Sequence, residues 1–308
     1  MGVHTAAAEL GCSPAVTVFI GREALASGRL TRYELIADHR RVLPRVYAPK
    51  RVQLSLDDRI AAAWLWSDRR GVLTGMAASA LHGAEWVDGN VPIEMNLAHN
   101  KSPAGVVTRR DTLLDNEIMG LRRMAVTTVT RTAFDLARRG SLGRAVENLD
   151  SLARATHFKP DDVLAVAENH PRVRGRRRVR DVLDLIDEGA QSPRETWLRL
   201  LLIAAGFPRP QTQIPIPGPD GYPRYYLDMG WPDLMVAVEY DGQQHRTDPH
   251  RFRADVTRSE YIDGRGWRRI RVLAGDRRPD IVRRVEQAGV PRSAERGLLQ
   301  RATRTSSA

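Results

Sequence analysis

The sequence predicts a mixed α/β protein, α+β in layout, and three patterns in its last third carry that prediction. Leu234 to Val238 is an unbroken apolar run stopping at Glu239-Tyr240-Asp241-Gly242, the pattern of a strand buried on both faces and ending in a turn. Upstream, Ser192-Pro193-Arg194-Glu195 combines a capping box with proline at the first helical position. Trp197, Leu200, Leu201 and Ala204 then fall on one helical face, and Gly206 and Pro208 end the helix. Downstream come helical spacing near His250 to Asp263, a strand near Trp267 to Leu273 and a helix near Pro279 to Ala288.

The segment Tyr222 to Met229 alternates polar and apolar residues and reaches the apolar run through Gly230-Trp231-Pro232-Asp233, long enough for an antiparallel hairpin. That hairpin brings Asp228 near Glu239. Strand side chains alternate, so Glu239 and Asp241 share a face at the strand's end, where ligands of α/β sheets tend to bind. Clustered carboxylates repel one another without a cation and suit Mg²⁺ or Mn²⁺, which prefer oxygen ligands. A metal there activates water and offsets charge on a phosphodiester. His245, four residues beyond Asp241, is within reach as general base, phosphate donor or ligand. Each member also has a plainer reading, since Asp241-Gly242 is a common turn pair.

These residues resemble the restriction-endonuclease-like superfamily, in particular its branch of very-short-patch repair endonucleases and related bacterial domains. The branch's Asp, followed by a strand ending in Val-x-x-Asp-Gly and a His, corresponds to Asp228 and to Val238 through His245. The resemblance covers the last third of the chain and implies an αβββαβ core. It also implies that Asp228, Glu239, Asp241 and His245 form the catalytic site of a Mg-dependent endodeoxyribonuclease. Glu195, on the first helix, joins Asp228, Glu239 and Asp241 as a metal ligand in this reading, although its capping position alone explains it. Arg258 is implied as a phosphate contact; three residues after Asp255 it equally suits a helix-surface ion pair. The superfamily's usual acid-x-Lys departs here, because no lysine follows Lys159 and Asp241 stands in that place. His245 and the Gln243-Gln244 pair are the available substitutes, and a domain that binds without cutting is the rival reading.

Near the N-terminus, Leu30 to Asp38 reads as a short capped helix and His39 to Ala48 as a basic turn and strand. The pattern fits a winged helix with Arg41 and Arg45 on phosphate, and equally a basic surface helix. Together with Leu73 to Gly83 it resembles the winged-helix antitoxins of abortive-infection type IV (AbiEi-like) systems, which implies a transcriptional regulator and a cognate toxin partner. His82 reads as a helix C-terminal residue capped by Gly83. Helices near Asp57 to Trp66 and Thr74 to Leu81, strands near Pro92 to Leu97 and Gly105 to Arg109, and a capped helix within Thr127 to Ala137 are scaffold. Arg172 to Arg180 is the densest positive run, and Arg176, Arg177 and Arg178 are candidates to track a phosphate backbone. The expected divisions are a winged-helix-like segment over 1–50, a mostly helical α/β middle over 51–190, the nuclease-like core over 191–290 and a disordered tail over 291–308.

The 308 residues carry a formal charge of +11, nearly all from arginine, which favours polyanionic partners and above all DNA. A GC-rich coding sequence produces the same arginine and alanine bias. One cysteine, Cys12, rules out an internal disulfide and a cysteine-based zinc finger. The absence of a signal-like start or a long apolar run suggests a cytoplasmic protein without membrane partners. Cutting both strands of a duplex calls for a homodimer, because one site hydrolyses one strand at a time.

Overall fold

The computed structural model describes residues 17–98, 101–242 and 249–292. Cys12, Gln243, Gln244, His245 and the tail from residue 293 lie outside these described residues. The expected mixed α/β architecture is present, with eleven α-helices and three sheets among the described residues. Two compact units emerge. One comprises Met1–Leu73, Gly89–Thr112 and Gly120–Ala125, the other Thr74–Asp88, Leu113–Met119 and Val126–Ala308.

The first unit begins with β1 (Phe19–Ile20), α1 (Gly21–Ala26), α2 (Arg32–Asp38), β2 (His39–Leu43) and β3 (Val46–Pro49). Its antiparallel sheet has the order β1-β3-β2, with β2 and β3 forming a hairpin. A full capping box starts α2: the Thr31 hydroxyl accepts from Glu34 N–H, and the Glu34 carboxylate accepts from Thr31 N–H. Leu35 is the buried residue of α2, while Tyr33 and Ile36 stand 80% and 66% exposed. Helix α3 (Leu56–Trp66), capped by Ser55 with Asp58, buries Ile60 to Ala63. Strands β4 (Val72–Leu73), β5 (Ile93–Asn96) and β6 (Val106–Arg109) follow, β5 pairing antiparallel with β4 and parallel with β6. With β7 (Ile118–Leu121) and β8 (Met124–Thr127) they make a sheet of order β6-β5-β4-β8-β7.

In the second unit, α4 (Gly75–Leu81), α5 (Val129–Ala137), α6 (Leu142–Thr156), α7 (Pro160–Asn169) and α8 (Val179–Leu183) surround an apolar core. Phe134, Val146, Leu149, Leu152, Val163 and Val182 lie at its centre. His82, which ends α4 ahead of Gly83 at φ +93°, hydrogen-bonds through Nε2 to the Thr127 carbonyl, so its work is structural. The same unit continues through α9 (Pro193–Ala204), β9 (Gln211–Pro217), β10 (Pro223–Trp231), β11 (Val236–Asp241), α10 (Pro249–Asp263), β12 (Arg268–Leu273) and α11 (Arg278–Gln287). This is the expected αβββαβ order with a closing helix. The sheet runs β12-β11-β10-β9, antiparallel except for the parallel β11–β12 pair. One face packs Met229, Trp231, Val236 and Val238 against Leu198 and Leu202 of α9 and Ile281 and Val285 of α11. The other packs Ile214, Leu227 and Ala237 against Ile262 of α10.

Two local expectations are corrected. The central strand starts at Val236 rather than Leu234, because Pro232–Leu234 forms a 3₁₀ turn and Met235 is left-handed at φ +54°. Proline's fixed φ suits that helical turn. The buried residues of α9 are Glu195, Thr196, Leu198, Arg199 and Leu202, not the Trp197, Leu200, Leu201 and Ala204 face. Trp197 and Leu201 instead pack on the sheet core and Leu200 on the helical core, so α9 is enclosed from two sides. Gly230 marks a close approach of β10 and β11: a Cβ built there would lie 2.3 Å from the Val236 carbonyl oxygen. Gly230→Ala is therefore expected to lower stability by about 1–3 kcal/mol in urea titration, because main chain, not a side-chain tip, must move.

Candidate functional site

The site grows from a break in the sheet. Pairing of β10 with β11 runs from Trp231↔Val236 to Met229↔Val238, whereas β11 stays paired with β12 as far as Asp241↔Leu273. Leu227 belongs to the core beneath α10 and Met229 to the core beneath α9, so side-chain alternation fails at Asp228 between them. Opposite, on β9, Gln213 takes a left-handed φ of +48°. Asp228 thus stands where the ladder opens. Its Oδ2 accepts the Tyr240 N–H at 2.9 Å, replacing a backbone acceptor. Burial pushes the Asp228 carboxyl up to about 7, the Glu195 carboxylate pushes the same way, the Tyr240 N–H opposes, and Glu239 adds a smaller upward push.

Glu195 is buried at the start of α9, accepting Gln191 N–H at 2.9 Å and the Ser192 hydroxyl at 2.9 Å. Burial raises its pKa as well, partly offset by those donors. Its capping role and its nearness to Asp228 coexist. Glu239 is handled differently. Arg258 Nη2 donates to its Oε1 at 2.5 Å and Arg269 Nη1 to its Oε2 at 3.4 Å. Arg258 also donates to the Tyr226 carbonyl at 2.8 Å, tying α10 to β10 and β11 together. The expected helix-surface pair between Asp255 and Arg258 does not form; Asp255 instead receives Arg271 of β12 at 3.1 Å. Asp241 is half-buried and has no ion-pair partner among the described residues. His245 lies outside them.

For an oxygen-preferring divalent cation, the fit rests on Asp228 and Glu195. Glu195 is buried and Asp228 half-buried, and the Glu195 carboxylate raises the proton affinity of Asp228, a repulsion that a shared positive charge relieves. The Glu239 charge is already countered by Arg258 and Arg269. Among the described residues no group of three or more His, Cys, Asp or Glu side chains is gathered as a metal cluster.

The arginine candidates separate by environment. Arg45, at φ +70° in the hairpin turn, donates to Asp68 at 2.8 Å and to the Trp66 carbonyl at 3.0 Å, bracing its own unit. Arg41 is exposed on β2, beside Arg40. Arg176 donates to the Ala167 carbonyl at 2.7 Å and Arg178 to the Gly140 carbonyl at 2.5 Å, so both hold helix ends, while Arg177 is exposed. Burial lowers the Arg178 pKa.

Sequence reasoning missed two buried charge centres. Arg131, fully buried on α5, bonds Glu117 at 2.5 Å and Asp135 at 3.1 Å, and His170 bonds Glu117 at 2.6 Å. Asp150 on α6 and Arg199 on α9, both fully buried, pair at 2.7 Å; Thr196 and the Asp187 N–H also donate to Asp150. The one available signal for Arg199 was its place at i+4 from Glu195 in the largely apolar part of the helix.

No family model matches the chain. Two uncharacterized proteins of Mycobacterium tuberculosis, from different strains, are each 32% identical to it over 146 residues. The match takes in 47% of this chain and 53% of the relative, so the chain spans about half the length of the curated relatives it matches. Among the described residues no helix is long and apolar enough to cross a membrane.

Proposed function

We propose that this protein binds DNA and that its C-terminal part is a metal-dependent endonuclease. One observation carries the reading: Asp228 sits half-buried where β10 and β11 part, and its proton affinity is raised by the buried acid Glu195. Asp228 and Glu195 would hold a divalent cation, which would supply Lewis-acid stabilisation of the phosphodiester and lower the pKa of the attacking water. Arg258 and Arg269 hold positive charge at the same sheet end, with Glu239 fixing their positions. The Tyr240 N–H fixes Asp228. DNA engagement is assigned to the outer face of α2, with Arg32, Tyr33 and Ile36 exposed, and to Arg40 and Arg41 on the hairpin.

Supercoiled plasmid, single-stranded DNA and RNA incubated with the protein in Mg²⁺, Mn²⁺ or EDTA test this directly. Cleavage in metal only, reduced at least 100-fold in Asp228→Asn, is the expected result. Cleavage of no substrate, or undiminished cleavage by the variant, removes the enzyme.

The pairing of Glu239 with two guanidiniums favours a second reading, a DNA-binding regulator whose nuclease-like core is silent and which acts with a cognate toxin. That reading expects tight binding to DNA upstream of its own gene, unchanged in Asp228→Asn. On either reading Arg41→Ala weakens duplex binding and lowers its salt dependence by about one counterion, measured by fluorescence anisotropy across a salt series.

A further inference from the structure

Two guanidiniums share one tyrosine ring beside the start of β10. That of Arg224 lies 4.8 Å from the centre of the Tyr261 ring and 5.5 Å from that of Tyr225, while Arg265 lies 5.0 Å from the Tyr261 centre and donates to its hydroxyl at 2.6 Å. The rings are themselves fixed. Tyr261 donates to the Pro217 carbonyl at 2.8 Å, Tyr225 meets it edge-on at 5.7 Å between centres, and both pack on the core of Ile214, Leu227 and Ile262. Because 4.8 Å and 5.0 Å meet at one ring centre, the two charges lie at most about 10 Å apart. Both arginines are exposed, and neither has a carboxylate partner among the described residues, whereas Arg258, Arg269, Arg271 and Arg284 each have one. Asp220, in the loop ahead of β10, accepts the Tyr222 N–H at 3.2 Å instead.

We infer that Arg224 and Arg265, brought together by Tyr261, clamp consecutive phosphates of one nucleic-acid strand. The assignment rests on the nucleic-acid reading above and adds to it where the backbone lies on the C-terminal core. Three physical points support it. Two like charges set this close without a counter-ion are relieved by an anion, and a strand with about 3.4 Å of axis per phosphate places successive charges within their span. A guanidinium stacked on an aromatic face keeps its charge and its outward N–H groups while losing rotamer freedom, so less remains to be lost on contact with a phosphate. The clamp also shares its elements with the candidate site. Arg258 and Tyr261 are neighbours one turn apart on α10, and Arg265 follows in the turn that ends that helix. Arg258 in turn donates to the Tyr226 carbonyl, two residues before Asp228, and to Glu239. A strand held by Arg224 and Arg265 is thereby anchored on β10 and at the end of α10, the elements that carry Asp228 and Arg258.

Fluorescence anisotropy of the full chain in EDTA, across a salt series, with a labelled DNA single strand and its duplex, tests the clamp without metal or cleavage. Arg224→Ala with Arg265→Ala is expected to weaken both probes about tenfold or more at about 50 mM salt. It should also remove two phosphate contacts from the salt dependence, a slope change of about 1.4 for the single strand and about 1.8 for the duplex. Arg277→Ala with Arg283→Ala takes the same charge from two exposed arginines that Asp280 already pairs. That control should leave both affinities within about twofold. Unchanged affinity and slope in the Arg224 and Arg265 variant overturns the clamp, with the nucleic-acid reading intact because the wild type binds. An equal loss in the control also overturns it, since net charge is then the cause. Failure of the wild type to bind either probe removes the nucleic-acid reading itself and the clamp with it.

Discussion

Arg199→Ala is expected to destabilise the protein by about 3–5 kcal/mol, the cost of stripping a buried charge of its partner. Arg199 and Asp150 are both fully enclosed and pair at 2.7 Å, and Arg199 also donates to the Leu185 carbonyl at 2.6 Å. Burial already raises the Asp150 carboxyl to about 6 against the pull of Arg199; without the guanidinium the acid must stay neutral or leave. The pair joins α6 of the helical core to α9 of the sheet-bearing part, so its loss loosens the second unit at a junction. Urea titration of Arg199→Ala, and of Arg199→Met with Asp150→Leu, measures this. The double variant should recover most of the loss, because it leaves no orphaned charge. A single variant within about 1 kcal/mol of the wild type would refute the assignment.

The second large effect has the opposite sign. Asp228→Asn is expected to stabilise the protein above neutral pH. Holding this carboxyl at about 7 instead of its ordinary 3.8 makes its ionisation at pH 8 cost on the order of 4 kcal/mol. The folded state binds more protons than the unfolded one across this window. The Asp228 contribution is thus fully present below about pH 4 and is lost as the pH rises through about 7. Asparagine keeps an oxygen to accept the Tyr240 N–H and carries no charge to desolvate. Melting curves from pH 4 to 8 should show the difference between variant and wild type growing in favour of Asn and levelling above pH 7. At pH 8, millimolar Mn²⁺ should raise the melting temperature of the wild type and not of Asp228→Asn, through binding to the folded state alone. Parallel curves would mean that Asp228 is ordinary, and an equal Mn²⁺ response in both would place the cation elsewhere. On the proposed reading, function and stability oppose each other at this residue, as they do where an acid is desolvated for chemistry.

Much of the C-terminal fold was legible because its signals are local. The α9 start is written in Ser192-Pro193 and Glu195, and the strand end at Glu239 to Gly242 is marked by an abrupt change from apolar to charged residues. Capping of α2 by Thr31 and Glu34 has the same origin, since both partners lie within one turn. The carboxylates of the site were legible as residue types. Their states were not. Reading Asp228 and Glu239 as equivalent acids missed that Asp228 is raised by burial and Glu195, while Glu239 is matched by Arg258 and Arg269. Arg45, Arg176 and Arg178 illustrate the same limit: a basic run looks like a phosphate track until the carbonyls that receive its guanidiniums are known.

The sequence by itself determined the order of helices and strands, the caps, and the presence of acids at a strand end, because periodicity and capping are settled among residues a few positions apart. Only the tertiary structure decided where β10 parts from β11, that α9 is enclosed between two cores, and which arginine neutralises which acid. Those outcomes depend on strand register and on groups 19 to 49 residues apart, as with Arg258 and Glu239 or Arg199 and Asp150. Desolvation and Coulomb energies follow distance in space, and spacing along the chain does not reveal that distance.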